Sequence, residues 1–267
     1  MMTQRQTIVV ERRGATEWVT MNRPDRLNAL DDVMVGELSA YFRGLATDRD
    51  VRVVVLRGAG GAYCAGLDLK ADPVERDTID RLRHQRSIAE IVMAMRYAPQ
   101  PIVSLIHGPA CGGGFAMALA SDVRIAGESA RMNAAFIRIG LSACDIGVSY
   151  FLPRLVGASL AAELMLTGDF IHAERALACG LVSRIVPDAE LEAAAVPLVE
   201  RMLDASPLGL RLTKECLRMS IDAPSLEAAI AMEDRNQMLT VGDNAFAEGL
   251  AAFLEKRRPD YSKVARA

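Results

Sequence analysis

The sequence predicts an α/β fold with a mostly helical final third, and three observations predict it. Two short, continuous apolar runs, VRVVVLR (51–57) and IVSLI (102–106), each end at a glycine cluster that leads into a helical pattern. A third run, Asp122 to Ala126, reads as another core strand. Beyond Gly140 the texture changes to segments of helical periodicity.

The elements follow in order. Thr7 to Glu11 and Glu17 to Met21 flank the Arg13-Gly14 turn and predict a hairpin. Asp31 and Asp32 open a helix that runs to about Ala46, with Val33, Leu38, Tyr41 and Leu45 near helical spacing. After the first glycine cluster, GAGGAYCAG, a charged helix spans roughly Pro73 to Arg96 and stops at Pro99 and Pro101. The second cluster, HGPACGGG, opens the small-residue helix FAMALAS. Leu152–Leu166, Ala173–Ala178, Glu190–Asp204, Leu208–Ser220, Ser225–Leu239 and Asn244–Arg258 are read as helices, with a strand at Leu181–Val186. This divides the chain into an α/β core, 1–200, and a helical region, 201–267.

Composition narrows the function. With 267 residues, 51% of them hydrophobic and 24% charged, the chain has material for one large core. A net charge of −3, with no Lys/Arg block interleaved with aromatics, argues against nucleic acid. The start, MMTQRQTIVVERRG, has no signal-peptide pattern, and the longest apolar stretches fall short of the ~20 residues of a membrane span. The five cysteines are scattered without a C-x-x-C pair, so reduced thiols and a cytoplasmic location are expected. Three histidines without an H-E-x-x-H motif or a Cys/His cluster predict no metal site.

The two strand–glycine–helix elbows carry the functional signal. Glycines admit positive φ and close approach, and a helix N-terminus presents unpaired N–H donors with partial positive charge. The usual owners of such turns do not fit. Gly58 and Gly60 match the start of G-x-G-x-x-G, but Tyr63 holds the third glycine position. No Lys-Ser or Lys-Thr follows either cluster, which excludes a P-loop, and no G-x-S-x-G elbow exists. One glycine cluster alone is read more economically as a tight turn. Two side by side suit an anion or a polarised carbonyl.

The motifs then match a known family. NRPDRLNAL (22–30), AYCAGLDLK (62–70), HGPACGGGFAMALASDVRIA (107–126), LPRLVG (152–157), LTGDFIHAERALACGLVSRIVP (166–187) and EGLAAFLEKRRPDY (248–261) resemble, in order, segments of the crotonase (enoyl-CoA hydratase/isomerase) superfamily. The resemblance implies a ClpP/crotonase spiral of β-β-α units with two roughly perpendicular sheets. It also implies a C-terminal helical region for assembly into a homotrimer or a dimer of trimers. It implies an acyl-CoA thioester substrate, with coenzyme A as part of the substrate and no separate cofactor. The oxyanion-hole donors fall on the backbone N–H groups of Leu67 and Gly113. Ala65, Gly66, Asp68 and Leu69 fall on the loop that lines the coenzyme, Leu27 on a second lining segment, and Gly112 beside the hole. Where some relatives carry a phosphate-binding lysine this chain has Asp25, with Arg26 beside it as the substitute.

The same comparison narrows the chemistry. Hydratases of the family activate water with two glutamates; here those positions hold Ala116 and Phe136. Asp145 falls on an aspartate that dienoyl-CoA isomerases use for proton transfer and aryl-CoA dehalogenases use as a nucleophile. Its loop is apolar (Ala143, Ile146, Val148), which favours a raised pKa. The structural alternative is an Asx-turn or an N-cap for a helix starting near Ser149. The dehalogenase histidine is absent, its place being Ile88 or Ala89. His84 is read as solvated, His107 as closing a turn, Cys144 as a buried small hydrophobe, and Cys64 and Cys111 as packing residues. Glu233 and Asp234 are read as solvated. Lys256 and Arg257 are candidates to reach a neighbouring subunit's coenzyme phosphates, exposed helix ends being the bland reading. The expected function is double-bond isomerisation of an unsaturated acyl-CoA with Asp145 as proton-transfer group. The alternatives are hydration by non-standard residues and an acyl-CoA-binding protein with little turnover.

Overall fold

The computed structural model describes residues 2–70 and 77–264. Its strands and helices in chain order are β1 (Met2–Gln4), β2 (Ile8–Arg13), β3 (Thr16–Met21), α1 (Asp32–Gly44), β4 (Val53–Gly58), α2 (Thr78–Tyr97), β5 (Ile102–Ile106), β6 (Pro109–Cys111), α3 (Gly113–Ala120), β7 (Val123–Gly127), β8 (Arg131–Asn133), α4 (Val148–Val156), α5 (Ala158–Thr167), β9 (Ile171–His172), α6 (Ala173–Ala178), β10 (Arg184–Val186), α7 (Leu191–Leu203), α8 (Pro207–Ser220), α9 (Leu226–Val241) and α10 (Asn244–Leu254).

Among the described residues the large sheet has seven strands in the order β1-β2-β3-β4-β5-β7-β10. The β1–β2 and β2–β3 pairs are antiparallel, and every pair from β3 to β10 is parallel. The continuous apolar runs follow from this position. Side chains alternate across a strand. Val54 and Leu56 therefore join the main core with α1, α2 and α3, while Val53 and Val55 pack with Trp18, Val103, Leu105 and Leu191 of α7 on the other face. A strand covered on both sides has no polar face to show.

Most expected elements appear with ends shifted by a few residues. Helix α2 starts at Thr78, and the expected start at Pro73 lies outside the described residues. The helix read as Leu152–Leu166 is two helices, α4 and α5, because Gly157 at φ +83° cannot continue the first. The strands β6, β8 and β9, not read as elements in the sequence, form a second, three-stranded sheet among the described residues.

An ion pair with a buried lysine helps tie α8 to the core. Lys214 Nζ on α8 lies 2.9 Å from Asp122 Oδ2 and donates to the carbonyls of Gln100 (2.8 Å) and Met95 (3.2 Å). Burial lowers the Lys214 pKa, and Asp122 opposes that shift. Among the described residues no helix is long and apolar enough to cross a membrane.

Candidate active site

Backbone hydrogen bonds lace the two glycine loops together. Tyr63 N–H donates to His107 O (2.8 Å), Cys64 N–H to Pro109 O (3.1 Å) and Cys111 N–H to Cys64 O (2.9 Å). His107 closes the turn as expected, with its Nε2 2.8 Å from Gly60 O. Gly66 has φ +95°, and a Cβ there would lie 2.8 Å from Cys111 O and 3.5 Å from Gly113 N. Only glycine fits, and the approach brings the amides after Gly66 and Gly112 into one neighbourhood.

The direction of each amide follows from its local pairing. Leu30 N–H donates to Gly66 O (2.7 Å) and Asp68 N–H donates to Leu30 O (2.9 Å), which makes a parallel bridge with Leu67. In such a bridge the residue flanked by the two bonds turns its own N–H away from its partner. Gly113 is the first residue of α3, so its N–H has no intrahelical acceptor and carries the positive end of the helix dipole. Among the described residues, neither the Leu67 nor the Gly113 amide donates to a protein acceptor.

The segment around Leu27 is locked to this loop. Leu27 and Asn28 both have positive φ, at 51° and 55°. Asn28 is fully buried; its side chain accepts from Arg23 N–H and donates to the carbonyls of Ala59 (2.8 Å) and Ala62 (2.7 Å). Ala65 N–H donates to Leu27 O at 3.0 Å. Arg23 bridges the two segments, with Nη2 3.0 Å from Asp68 Oδ2 and 3.1 Å from Asp31 Oδ2. Burial alone would raise the Asp68 carboxyl, but the Arg23 and Lys70 N–H hydrogen bonds outweigh it and hold it below its ordinary value. Asp68 is thus a buried ion-paired residue of the loop. Leu27, Leu69 and Arg26 are exposed beside it.

Asp145 occupies a strained turn close to the glycine loops. Ile146 has φ +34°, unusual for a β-branched residue, and Gly147 follows at φ +94°. The Ile146 Cδ1 would be 3.7 Å from a Cβ on Gly113. Asp145 Oδ1 accepts from Gln85 Nε2 on α2 (2.5 Å) and from Ile146 N–H (2.8 Å). Burial pushes the Asp145 carboxyl above its ordinary value, with both hydrogen bonds opposing. The side chain makes no helix cap; Gly147 is the N-cap of α4, and the Asp145 carbonyl accepts from Val148 N–H. At the two expected glutamate positions the surroundings are apolar: Ala116 is fully buried, and a Cβ on Gly112 would lie 3.4 Å from the Phe136 ring.

Two expected roles are revised, those of His84 and Cys144. His84 is not solvated: its side chain is 15% exposed, with Nδ1 3.2 Å from Asp32 Oδ1, because α2 packs this face against α1. Cys144 is exposed at the tip of the Asp145 loop, where its N–H donates to Ser142 Oγ. Arg257 pairs within its own chain, 2.6 Å from both Glu248 and Glu255. Cys64 and Cys111 pack, and burial raises their thiols to about 12 and about 11. Glu233 and Asp234 are exposed, as expected. Arg23, Asn28 and Gln85 were not singled out in the sequence. The first two stand inside NRPDRLNAL, where an asparagine able to take positive φ was the available signal; Gln85 had none. Among the described residues no group of three or more His, Cys, Asp or Glu side chains is arranged to hold a metal.

Comparison with known proteins adds to this geometry. The profile of the family described as Enoyl-CoA hydratase/isomerase matches residues 11–264. The probable enoyl-CoA hydratase echA12 of Mycobacterium bovis is 40% identical over 252 residues, which cover 91% of this chain and 88% of that protein. The 1,2-epoxyphenylacetyl-CoA isomerase of Escherichia coli K12 is 32% identical, over 91% of this chain and 94% of its own. Among solved structures, the enoyl-CoA hydratase from Bacillus anthracis superposes with a TM-score of 0.91 at 32% identity, covering 96% of this chain and 99% of that one.

Proposed function

This chain belongs to the enoyl-CoA hydratase/isomerase family, and on that premise we propose that it moves a double bond within an unsaturated acyl-CoA, with Asp145 transferring the proton. The fold is that of the crotonase superfamily, and the chain is an acyl-CoA enzyme of that family. The thioester carbonyl accepts from the Leu67 and Gly113 amides. Asp145 removes a proton from C2, and the electron pair delocalises onto the carbonyl oxygen. Protonated Asp145, whose half-exposed carboxyl exchanges its proton with solvent, then donates a proton to C4, so the double bond moves from C3–C4 to C2–C3. Donors already aimed at the oxygen stabilise the enolate without reorganising. Ala65, Gly66, Leu69, Leu27 and Arg26 would line the coenzyme, with Gly112 closing the hole and no cofactor beyond it.

The observation that carries this reading is the Asp145 carboxyl, raised by burial, one residue from Ile146, whose Cδ1 would lie 3.7 Å from a Cβ on Gly113. A carboxyl with a raised pKa suits both halves of the transfer, taking a proton as the carboxylate and giving one as the acid. The apolar Ala116 and Phe136 favour one-acid isomerisation over two-carboxylate hydration. A panel of 2-enoyl, 3-enoyl, 3,5-dienoyl and halogenated aryl CoA thioesters, followed by mass and ultraviolet absorbance, tests it. Isomerisation changes absorbance at constant mass. A gain of one water from the 2-enoyl thioester would establish hydration instead, and binding without any product would leave a binding protein.

Assembly as a homotrimer or a dimer of trimers is part of the proposal. It is supported by exposed apolar side chains on α8 to α10, among them Leu217, Leu226, Met238, Phe253 and Leu254.

A further inference from the structure

A cavity of about 780 Å³ opens beside Ile146 and Gly147, between α2, α4, α8 and α9. Its size is that of a small-molecule site. Val92, Phe151, Met219 and Met232 give it apolar walls. Ile146 lines the cavity, and its Cδ1 would lie 3.7 Å from a Cβ on Gly113, so on the acyl-CoA reading one side chain separates the cavity from the hole.

The walls also carry charge that a plain hydrocarbon tail would not use. Arg96, Arg218 and Arg235 line the cavity, and among the described residues none of them pairs with a carboxylate. Arg96 and Arg218 are half-buried. The Arg218 guanidinium stacks 4.4 Å from the Tyr97 ring centroid. Arg96 lies 5.8 Å from the Phe151 centroid and donates to Arg218 O at 3.2 Å. Asp222 is the acid of the cavity, and its oxygens are taken by Tyr150 and by Arg154 at 2.9 Å. The wall therefore holds an excess of positive charge with donors to spare, and a guanidinium fork matches a carboxylate in shape.

We propose that the acyl group this site accepts ends in a carboxylate, held by Arg218 and Arg96 on the wall of the apolar cavity. The inference rests on the acyl-CoA reading above and adds the class of acyl group.

Calorimetry on the full-length protein with saturated, unreactive thioesters tests both at once. Succinyl-, adipoyl- and suberoyl-CoA are compared with butyryl-, hexanoyl- and octanoyl-CoA. At one length or more the carboxylated thioester should bind about tenfold tighter or better, as a charge-assisted hydrogen bond implies, and the advantage should shrink with salt. The double variant R96M/R218M should erase that preference, whereas R218K should keep it; a merely structural role for these arginines would weaken both series alike. Equal or tighter binding of the methyl-ended thioester at every length overturns the inference and leaves the acyl-CoA reading intact. No binding of either series overturns both. The comparison in the unsubstituted protein stands even where a variant fails to fold.

Discussion

The Nε2 of Gln85, on α2, donates to Oδ1 of Asp145 at 2.5 Å across 60 residues of sequence. The bond fixes one carboxylate oxygen, so the carboxyl has a defined orientation on its turn. Gln85→Leu should weaken that hold without removing the acid. The expected result is a fall in kcat of about tenfold with acyl-CoA affinity little changed, since misplacing a proton-transfer group costs rate before binding.

The raised Asp145 pKa sets a direction in pH. The acid must be ionised to take a proton, so kcat/KM falls as pH drops through its raised value, with the slope of one proton. Titration of kcat/KM in the free enzyme reports this limb. Asp145→Asn should abolish turnover and the limb together while acyl-CoA still binds.

Gly66→Ala would place a Cβ 2.8 Å from Cys111 O at a φ of +95°. The loop must move, and the Leu67 amide moves with it. Loss of one donor of an oxyanion pair lowers kcat roughly 100-fold or more. Turnover under saturating substrate, with circular dichroism to show that the fold persists, checks this.

The Arg23–Asp68 pair joins the Leu27 segment to the glycine loop with both side chains largely buried. Arg23→Met leaves Asp68 buried without its cation and should destabilise the protein by about 3 kcal/mol, read from urea unfolding. The folded Asp68 pKa is depressed. Its contribution is therefore full above the unfolded aspartate value near ~4 and is lost as pH falls through the lower folded value. The penalty of Arg23→Met should shrink in that acid window.

On the proposed assembly, light scattering should give a mass of three or six chains, with the exposed apolar side chains on α8 to α10 as the surface that it would cover. A monomer would contradict the assembly proposal.

The legible parts of the fold were those with long patterns. The runs at β4 and β5 are buried on both faces and so stay apolar throughout. β6, β8 and β9 have three, three and two residues, too few for a period to register. The glycine elbows were legible because they need glycine; the partners that fix them were not. Arg23 and Asp68 meet across 45 residues, and nothing local marks one as the other's partner. His84 looked solvated because its neighbours on α2 are charged, yet its side chain meets Asp32. Cys144 looked buried because its loop is apolar, yet it sits at the exposed tip.

Solvent deuterium exchange tests the enolate most directly. A 3-enoyl-CoA is incubated with the enzyme in heavy water, and C2 and C4 are read by mass spectrometry. Deuterium should enter the thioester with the unsubstituted protein and not with Asp145→Asn. A bound thioester that takes up no deuterium, or one labelled equally by the Asp145→Asn protein, would contradict proton transfer by this acid at this hole.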